Sequence, residues 1–214
     1  MRISTTVLES FRLFLEPDQE WMTEDALVDT ILGKFVPTHA VQRGKAFGCI
    51  LETPDAYRVS GGYICEHFSF GDDVMGPAMA LIDRPHTVFE AKAIAQYAGH
   101  DVVAKADQLC GADLIETKTT ESFDFDKYAH SCQWRFMADI FKPKRITYHV
   151  FVLAEPERGP GQIELRSVET FTLYPYAGMR QDCERLVRDF DAYVTAKGLK
   201  DALDARQVEL AGAF

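Results

Sequence analysis

Residues 102–120, VVAKADQLCGADLIETKTT, decide the predicted fold. Alternating apolar and polar residues on either side of Cys-Gly-Ala at 110–112 predict two strands joined by a tight turn. This alternation puts Glu116 and Lys118 on one face of the second strand, and a hairpin partner can bring Asp107 alongside them. Two carboxylates beside a lysine suit a hard divalent cation next to an attacking water. A solvated charge pair on an antiparallel sheet is the alternative interpretation.

Length and composition indicate an ordinary globular protein. The chain has 214 residues, of which 47% are hydrophobic, enough for one substantial core in a single domain. No apolar run approaches the roughly 20 residues that a membrane span needs, so we expect a cytoplasmic protein, in the host cytoplasm if it is phage-encoded. The five cysteines are scattered without a C-x-x-C pair. That pattern favours reduced thiols over a disulfide framework or a zinc site.

The formal charge of -10 counts against a sequence-specific DNA binder, because such proteins usually carry a basic footprint. It is compatible with a metal-dependent enzyme, whose clustered acidic ligands are offset by the bound cation. Two local basic groups remain, Arg43 with Lys45 and a second group at 142–145. Taken singly, each basic group is interpreted as an ordinary solvent-exposed surface rather than a binding site.

Helical patterns dominate the first fifty residues. Apolar spacing and capping residues predict helices over 4–15, 23–33 and 40–52. On the third helix Gly44 and Gly48 lie four residues apart and share a face. Because glycine inside a helix costs about 1 kcal/mol relative to alanine, the pair indicates either close approach of another backbone or a substrate, or simple helix packing.

Two later stretches are less regular. Residues 57–82 carry two turn signals and are predicted to form a hairpin or an irregular cover. Residues 87–98 fit both a strand and a helix, and the turn that follows favours the strand. The remaining predicted elements are a long helix from Asp124 or Asp126 to 141, a buried strand over 145–154, a strand over 163–174, a helix over 178–198, and a short helix or loose tail from 200.

The order of elements and four local motifs resemble the PD-(D/E)XK nuclease superfamily, in particular its RecB-like and phage-type exonuclease branch. The motifs are Arg43-Gly44-x-x-x-Gly48-x-x-x-Glu52, Ala104-Lys105-Ala106-Asp107, Glu116-Thr117-Lys118-Thr119-Thr120 and Ser131-x-Gln133-Trp134-x-Phe136. Two positions depart from the pattern. Gly48 stands where the RecB branch usually has a histidine, and Phe136 replaces the usual tyrosine.

The resemblance implies an α/β fold of the α+β type with a mixed sheet and a restriction-endonuclease-like αβββαβ core. One domain would span 1–214, with its core at about 40–154, N-terminal helices over 4–33, and a C-terminal strand and helix over 163–198. The implied activity is Mg²⁺- or Mn²⁺-dependent hydrolysis of DNA phosphodiester bonds. The favoured form is a phage-type or repair-type exonuclease acting on the linear ends of double-stranded DNA.

The same resemblance implies roles for individual residues. Asp107 and Glu116 would bind the metal directly, assisted by the main-chain carbonyl of Thr117, and Glu52 would complete the shell directly or through water. Lys118 would position or deprotonate the attacking water and stabilise charge. Gln133 would orient Lys118, water or the DNA backbone. The implied substrate-binding residues are Arg43, Gly44, Lys45, Thr119, Gln133 and Trp134. Trp134 would stack on a base, although such residues on a helix more often belong to the core.

Several alternatives stay open at this point. Glu90 replaces Glu52 as the acid of the first motif if 87–98 is helical, and Asp113 is read as a turn acid. An endonuclease of the same superfamily, and a non-catalytic module that binds DNA or a protein, compete with the exonuclease. The exonuclease itself could act alone, as a homo-oligomer, or with a recombination or annealing protein.

Overall fold

A mixed sheet lies at the centre of the part of the chain that the computed structural model describes, which is residues 1–19, 21–82, 87–156 and 161–204. In chain order the elements are β1 (Arg2–Ser4), α1 (Thr5–Phe14), α2 (Glu24–Leu32), α3 (His39–Glu52), α4 (Pro54–Tyr57), β2 (Arg58–Val59), β3 (Gly62–Cys65), β4 (Phe68–Gly71), α5 (Asp72–Ile82), β5 (Thr87–Tyr97), β6 (His100–Cys110), β7 (Asp113–Thr120), α6 (Phe125–His130), α7 (Gln133–Phe141), β8 (Arg145–Ala154), β9 (Gln162–Leu173) and α8 (Met179–Ala196).

The strand order is β1-β6-β7-β8-β9-β4-β3-β2, with β5 also paired to β6. Strands β5, β6 and β7 are antiparallel, and β7 and β8 run parallel through the crossover formed by α6 and α7. The described elements therefore contain the predicted order of helix, three strands, helix and strand. Helices α1, α7 and α8 cover one face with their apolar cluster, and α3 and α5 cover the other face with a second cluster.

Capping explains where the first helices begin. The hydroxyl groups of Ser4, Thr23 and Thr38 each accept a hydrogen bond from the backbone amide three residues later. These bonds satisfy amides that the first turn leaves without a helical partner. Gly33 ends α2 in the left-handed region, at φ 70°. The helices predicted over 4–15, 23–33 and 40–52 are confirmed.

Other predictions need correction. Residues 57–82 form three short strands and the helix α5 rather than a single hairpin or an irregular cover. The strand choice for 87–98 is confirmed by β5. The long helix predicted up to residue 141 is two helices, because Ser131 between them is extended, at ψ 140°. Asp124 caps the first of the two. The tail beyond residue 204 lies outside the described residues.

Glu9 of α1 holds the start of α7 in place. Its Oε2 accepts hydrogen bonds from the backbone N–H of Cys132 at 2.6 Å and from Ser131 Oγ at 3.0 Å. Its Oε1 accepts from Arg12 Nη2 at 2.7 Å. A carboxylate 122 residues upstream of Ser131 thus caps the helix. No local pattern could have placed this break.

We expect Glu9→Gln to lower the free energy of unfolding by about 1.5–3 kcal/mol, because it removes charge-assisted hydrogen bonds. Burial raises the pKa of Glu9, but its bonds to Arg12 and Cys132 outweigh burial and hold that pKa below its ordinary 4.5. A pKa depressed in the folded state gives stabilisation that is present above pH 4.5 and lost as the pH falls below it.

Urea denaturation of the wild type and Glu9→Gln at about pH 7 and about pH 3 checks this prediction. The difference between the two proteins should be present at the higher pH and shrink at the lower one. Glu16→Gln serves as the control, since Glu16 also pairs with Arg12 but is 39% exposed. It should change stability by less than about 0.5 kcal/mol. A pH-independent difference for Glu9→Gln would contradict the assigned role of its charge.

Candidate active site

Strands β6 and β7 separate close to the middle of β6. Their ladder runs from Cys110↔Asp113 to Gln108↔Ile115 and goes no further. Strand β5 pairs with every residue of β6 except Asp107, so β7 and the short β1, which pairs at 101–103, share the other edge. The backbone between these two partners, 104–107, faces a gap in the sheet. Asp107 lies at the point where the strands part.

Side chains replace the ladder at this point. The backbone N–H of Asp107 donates to Glu116 Oε1 at 3.1 Å. In return, the backbone N–H of Thr117 donates to Asp107 Oδ2 at 2.9 Å. Each carboxylate is therefore held by a backbone N–H of the other strand. The predicted proximity of Asp107 and Glu116 is present in the structure.

Lys118 lies beside the pair. Its Nζ is 2.7 Å from Glu116 Oε2, so the predicted shared face of Glu116 and Lys118 is present as well. Glu116 is 2% exposed, and burial, together with the charge of Asp107, raises its pKa in spite of Lys118. Burial opposes the charge of Lys118, but Glu116 and then Asp107 hold its pKa above the ordinary value. The lysine is thus kept as a cation directed at the carboxylates.

Helix α3 forms the opposite wall of a cleft of about 1260 Å³. Within the described residues the basic side chains that line this cleft are Arg43, Lys45, Lys105, Lys118 and Lys127. Four carboxylates, those of Glu52, Glu90, Asp107 and Glu121, line the same cleft, so its charges nearly balance and the cleft is locally less acidic than the net charge of -10 suggests. The acidity of the whole chain therefore does not exclude an anionic substrate here.

The two glycines of α3 do different things. A Cβ on Gly44 would lie 2.9 Å from Thr119 Oγ1, so this glycine permits the close approach of α3 to β7. A Cβ on Gly48 would meet nothing within 4 Å, and Gly48 lines the cleft. Close approach of another element is thus the reason for Gly44, while Gly48 leaves space open in the cleft.

This difference predicts opposite stability effects for the two alanine variants. Gly48→Ala should raise the free energy of unfolding by up to about 1 kcal/mol, the helix-propensity gain. Gly44→Ala has the same gain but overpacks against Thr119, at a cost of about 1–3 kcal/mol. Urea denaturation of each variant measures the difference. Adding Thr119→Ala to Gly44→Ala should recover the loss, and equal stabilities for the two single variants would refute the packing argument.

The other residues predicted for the site divide into two groups. Within the described chain, those that line the cleft besides Asp107 and Lys118 are Arg43, Gly44, Lys45, Glu52, Thr117, Thr119 and Gln133. Arg43 is 2% exposed, and its Nη2 donates to Glu121 Oε1 at 3.2 Å. Trp134 is different, since it is 6% exposed in the core and its indole N–H donates to the Ala129 carbonyl at 3.0 Å. The prediction that Trp134 contacts substrate is corrected, because its helix turns that ring inward.

The prediction for Glu52 allows a direct contact with the metal or a contact through water. Glu52 is exposed at the end of α3 and lines the cleft, but among the described residues no group of three His, Cys, Asp or Glu side chains is close enough together to hold a metal ion. The described residues therefore give no set of three side-chain ligands that includes Glu52, and its contact through water stays a prediction.

Sequence reasoning missed part of the wall formed by β5. Phe89 and Glu90 are consecutive yet both line the cleft, whereas regular strand residues alternate between faces. Glu90 has φ 55°, and the β5–β6 pairing skips it opposite Asp107. Glu90 forms an ion pair with Lys105, two residues before Asp107. Glu90 was to be the acid of the first motif only if 87–98 formed a helix. The stretch is the strand β5, but Glu90 still lines the cleft.

No protein family model matches the chain, and no protein of curated function matches it either. Solved structures do share its fold. The crystal structure of LHK-Exo in complex with dAMP is 13% identical, with a TM-score of 0.50 over 99% of this chain and 94% of that one. LHK-Exo is an alkaline exonuclease from Laribacter hongkongensis. A provisionally named exonuclease from Eubacterium rectale is 8% identical, with a TM-score of 0.51 over 95% and 82% of the two chains.

These similarities confirm the predicted fold class, a mixed α/β chain with the architecture seen in nuclease structures. No helix among the described residues is long and apolar enough to cross a membrane.

Proposed function

We propose that this chain is a metal-dependent deoxyribonuclease that hydrolyses phosphodiester bonds. The observation that carries the proposal is the meeting of Asp107, Glu116 and Lys118 where β6 and β7 part, beside a cleft whose lining includes five basic side chains. The fold shared with exonucleases supports it, as does the nucleotide in the LHK-Exo structure.

The donor set fits Mg²⁺ or Mn²⁺. Such ions take oxygen ligands, and Mg²⁺ uses one or two protein carboxylates together with waters and substrate phosphate oxygens. Asp107 and Glu116, with the carbonyl of Thr117, would hold the ion, so a third acidic side chain is not required. Glu52 lines the same cleft, and the proposal leaves it a contact through water. A bound ion would neutralise phosphate charge and favour deprotonation of a water.

The chain's own residues supply positioning and charge. The Lys118 ammonium would move from Glu116 towards the phosphate oxygen or the attacking water, where a cation stabilises the charge that develops during hydrolysis. Gln133, the first residue of α7, lines the cleft and would orient the water or the DNA backbone through its amide. Lys45 is exposed on α3 and would contact a neighbouring phosphate, whereas the buried Arg43, which is bonded to Glu121, would act on the phosphates through its charge.

We favour exonuclease action on linear double-stranded DNA. The test incubates the protein with linear and closed circular DNA, in Mg²⁺, in Mn²⁺ and with a chelator. Metal-dependent loss of the linear DNA alone supports the exonuclease, and cutting of the circle supports the endonuclease alternative. Cleavage that is unaffected by a chelator would refute the metal-dependent proposal.

A non-catalytic DNA-binding module is the second candidate. It is favoured by the Glu116–Lys118 ion pair, which already occupies one carboxylate oxygen, and by Gly48, which offers no ligand. Intact DNA under every metal condition, together with measurable DNA binding, would support this candidate over the nuclease.

A further inference from the structure

Arg43 is a buried cation with an exposed partner. Its side chain is 2% exposed, whereas Glu121, to which its Nη2 donates at 3.2 Å, has a side chain that is 70% exposed. A buried charge is costly unless it is paired and fully hydrogen-bonded. An exposed carboxylate is a weak partner, because water competes for it and ordering its side chain costs entropy. Glu121 therefore compensates the burial of Arg43 only in part.

The hydrogen bonds of this guanidinium are incomplete. Nε and Nη2 form one edge of a guanidinium, and two oxygens of a single carboxylate or phosphate can accept from both. In Arg43 the Nη2 donates to Glu121, but the Nε is buried and has no hydrogen-bond partner among the described residues. Glu121 thus fills half of an edge that suits a bidentate oxyanion.

A second carboxylate near Arg43 has other partners. Glu155 Oε2 lies 2.6 Å from His39 Nε2, and Glu155 Oε1 accepts from the backbone N–H of Gly161 at 2.6 Å. The bond to His39 and then the bond to Gly161 lower the pKa of Glu155, and the charge of Arg43 adds to their effect. Glu155 is thus close enough to sense the guanidinium, yet it leaves the Nε without a partner.

The ion pair lies inside the cleft of the candidate active site. Arg43 and Glu121 both line that cleft together with Lys118. Glu121 follows Lys118 by three residues, so their Cα atoms lie within about 11 Å of each other. Gly44, the residue after Arg43, leaves room for Thr119 and so lets α3 approach this end of β7. A strand with one phosphate at Lys118 can therefore bring a neighbouring phosphate towards Arg43.

We propose that Glu121 occupies the position of a substrate phosphate on Arg43 and is displaced when DNA enters the cleft. While Glu121 is bound, Arg43 acts on phosphates only through its charge. A phosphodiester has two non-bridging oxygens, which can accept from Nε and Nη2 together and complete the half-filled edge. The inference rests on the proposed nuclease function, since it assigns to Glu121 the role of a competitor for the substrate of that cleft.

The first test measures binding of a short fluorescent DNA duplex by anisotropy, with a chelator present so that no metal-dependent cleavage occurs. Glu121→Gln keeps an oxygen that can accept from Arg43 but removes the competing charge. It should tighten DNA binding by roughly 3- to 10-fold. Asp126→Asn is the matched control, because Asp126 is equally exposed and loses the same charge but is not among the cleft-lining residues. Its affinity should stay within about twofold of the wild type.

The gain from Glu121→Gln should require Arg43. In an Arg43→Gln background, with folding checked by circular dichroism, Glu121→Gln should tighten binding no more than Asp126→Asn does. A gain of the same size with and without Arg43 would show that Glu121 only repels DNA through its charge, and would overturn the proposal. Unchanged affinity in the single variant Glu121→Gln would overturn it as well.

Inorganic phosphate gives a readout that needs neither DNA nor the Arg43 variant. A ligand that binds only the folded protein raises its unfolding midpoint. Phosphate should therefore raise the midpoint of Glu121→Gln more than that of the wild type, because the competing charge is gone. Equal shifts in the two proteins would contradict displacement of Glu121 by a phosphate.

Duplex cleavage with Mg²⁺ separates this inference from the proposed function. A wild-type protein that cuts DNA, together with a Glu121→Gln variant of unchanged affinity, would leave the nuclease standing and refute the role of Glu121. An Arg43-dependent gain in affinity without any cleavage would support the role of Glu121 and refute the nuclease.

Discussion

Asp107→Asn should lower the rate of DNA hydrolysis by roughly 10³-fold or more, because it removes a charged oxygen ligand from the proposed metal site. The substitution keeps the size of the side chain and an oxygen that can accept from the backbone N–H of Thr117. We therefore expect the fold and DNA binding to persist. Initial rates on linear duplex DNA, with circular dichroism as the check on folding, measure the effect.

Metal binding to this site gives a second readout that does not depend on catalysis. An ion that binds only the folded protein raises its unfolding midpoint by mass action. Mn²⁺ should therefore raise the midpoint of the wild type and have a smaller effect on Asp107→Asn. Asp113→Asn is the matched control, since Asp113 lies on the same hairpin but pairs with Arg145. Equal metal-induced shifts in the wild type and Asp107→Asn would show that the ion does not bind at Asp107.

Lys118→Met should reduce hydrolysis by roughly 10²–10³-fold, because it removes the one cation that contacts the buried carboxylate Glu116 in the described site. Methionine keeps much of the aliphatic chain, so loss of packing contributes little. The loss should appear in kcat more than in KM, since the assigned role is charge stabilisation during the reaction. Rates over a range of DNA concentrations separate the two parameters.

Lys105→Met is the control for Lys118→Met. Lys105 lines the same cleft but forms its ion pair with Glu90 on β5. Among the described residues, the ion pair of Glu116 is with Lys118. Replacement of Lys105 should raise KM and leave kcat nearly unchanged. If Lys118→Met cut DNA at the wild-type rate, or if both lysine variants lost the same kcat, the role assigned to Lys118 would be wrong.

Much of the site could be predicted because its parts are close in sequence. Glu116 and Lys118 share a face through strand alternation, and a two-residue turn brings Asp107 close to Glu116. Glu52 could not be placed in this way. Its position in the cleft depends on how α3 packs against β7, where Gly44 leaves room for Thr119. Trp134 was misassigned for the same reason, because only packing decides which face of α7 is buried.

Local features of the sequence by themselves determined the helices with Ser or Thr caps, the central hairpin and the buried strand β8, because caps, turns and alternation act over a few residues. Only the tertiary structure decided the break held by Glu9, the β5 wall at Glu90, and the burial of Trp134. Each of these depends on partners from distant parts of the chain, and pairing between distant segments leaves no pattern at short range.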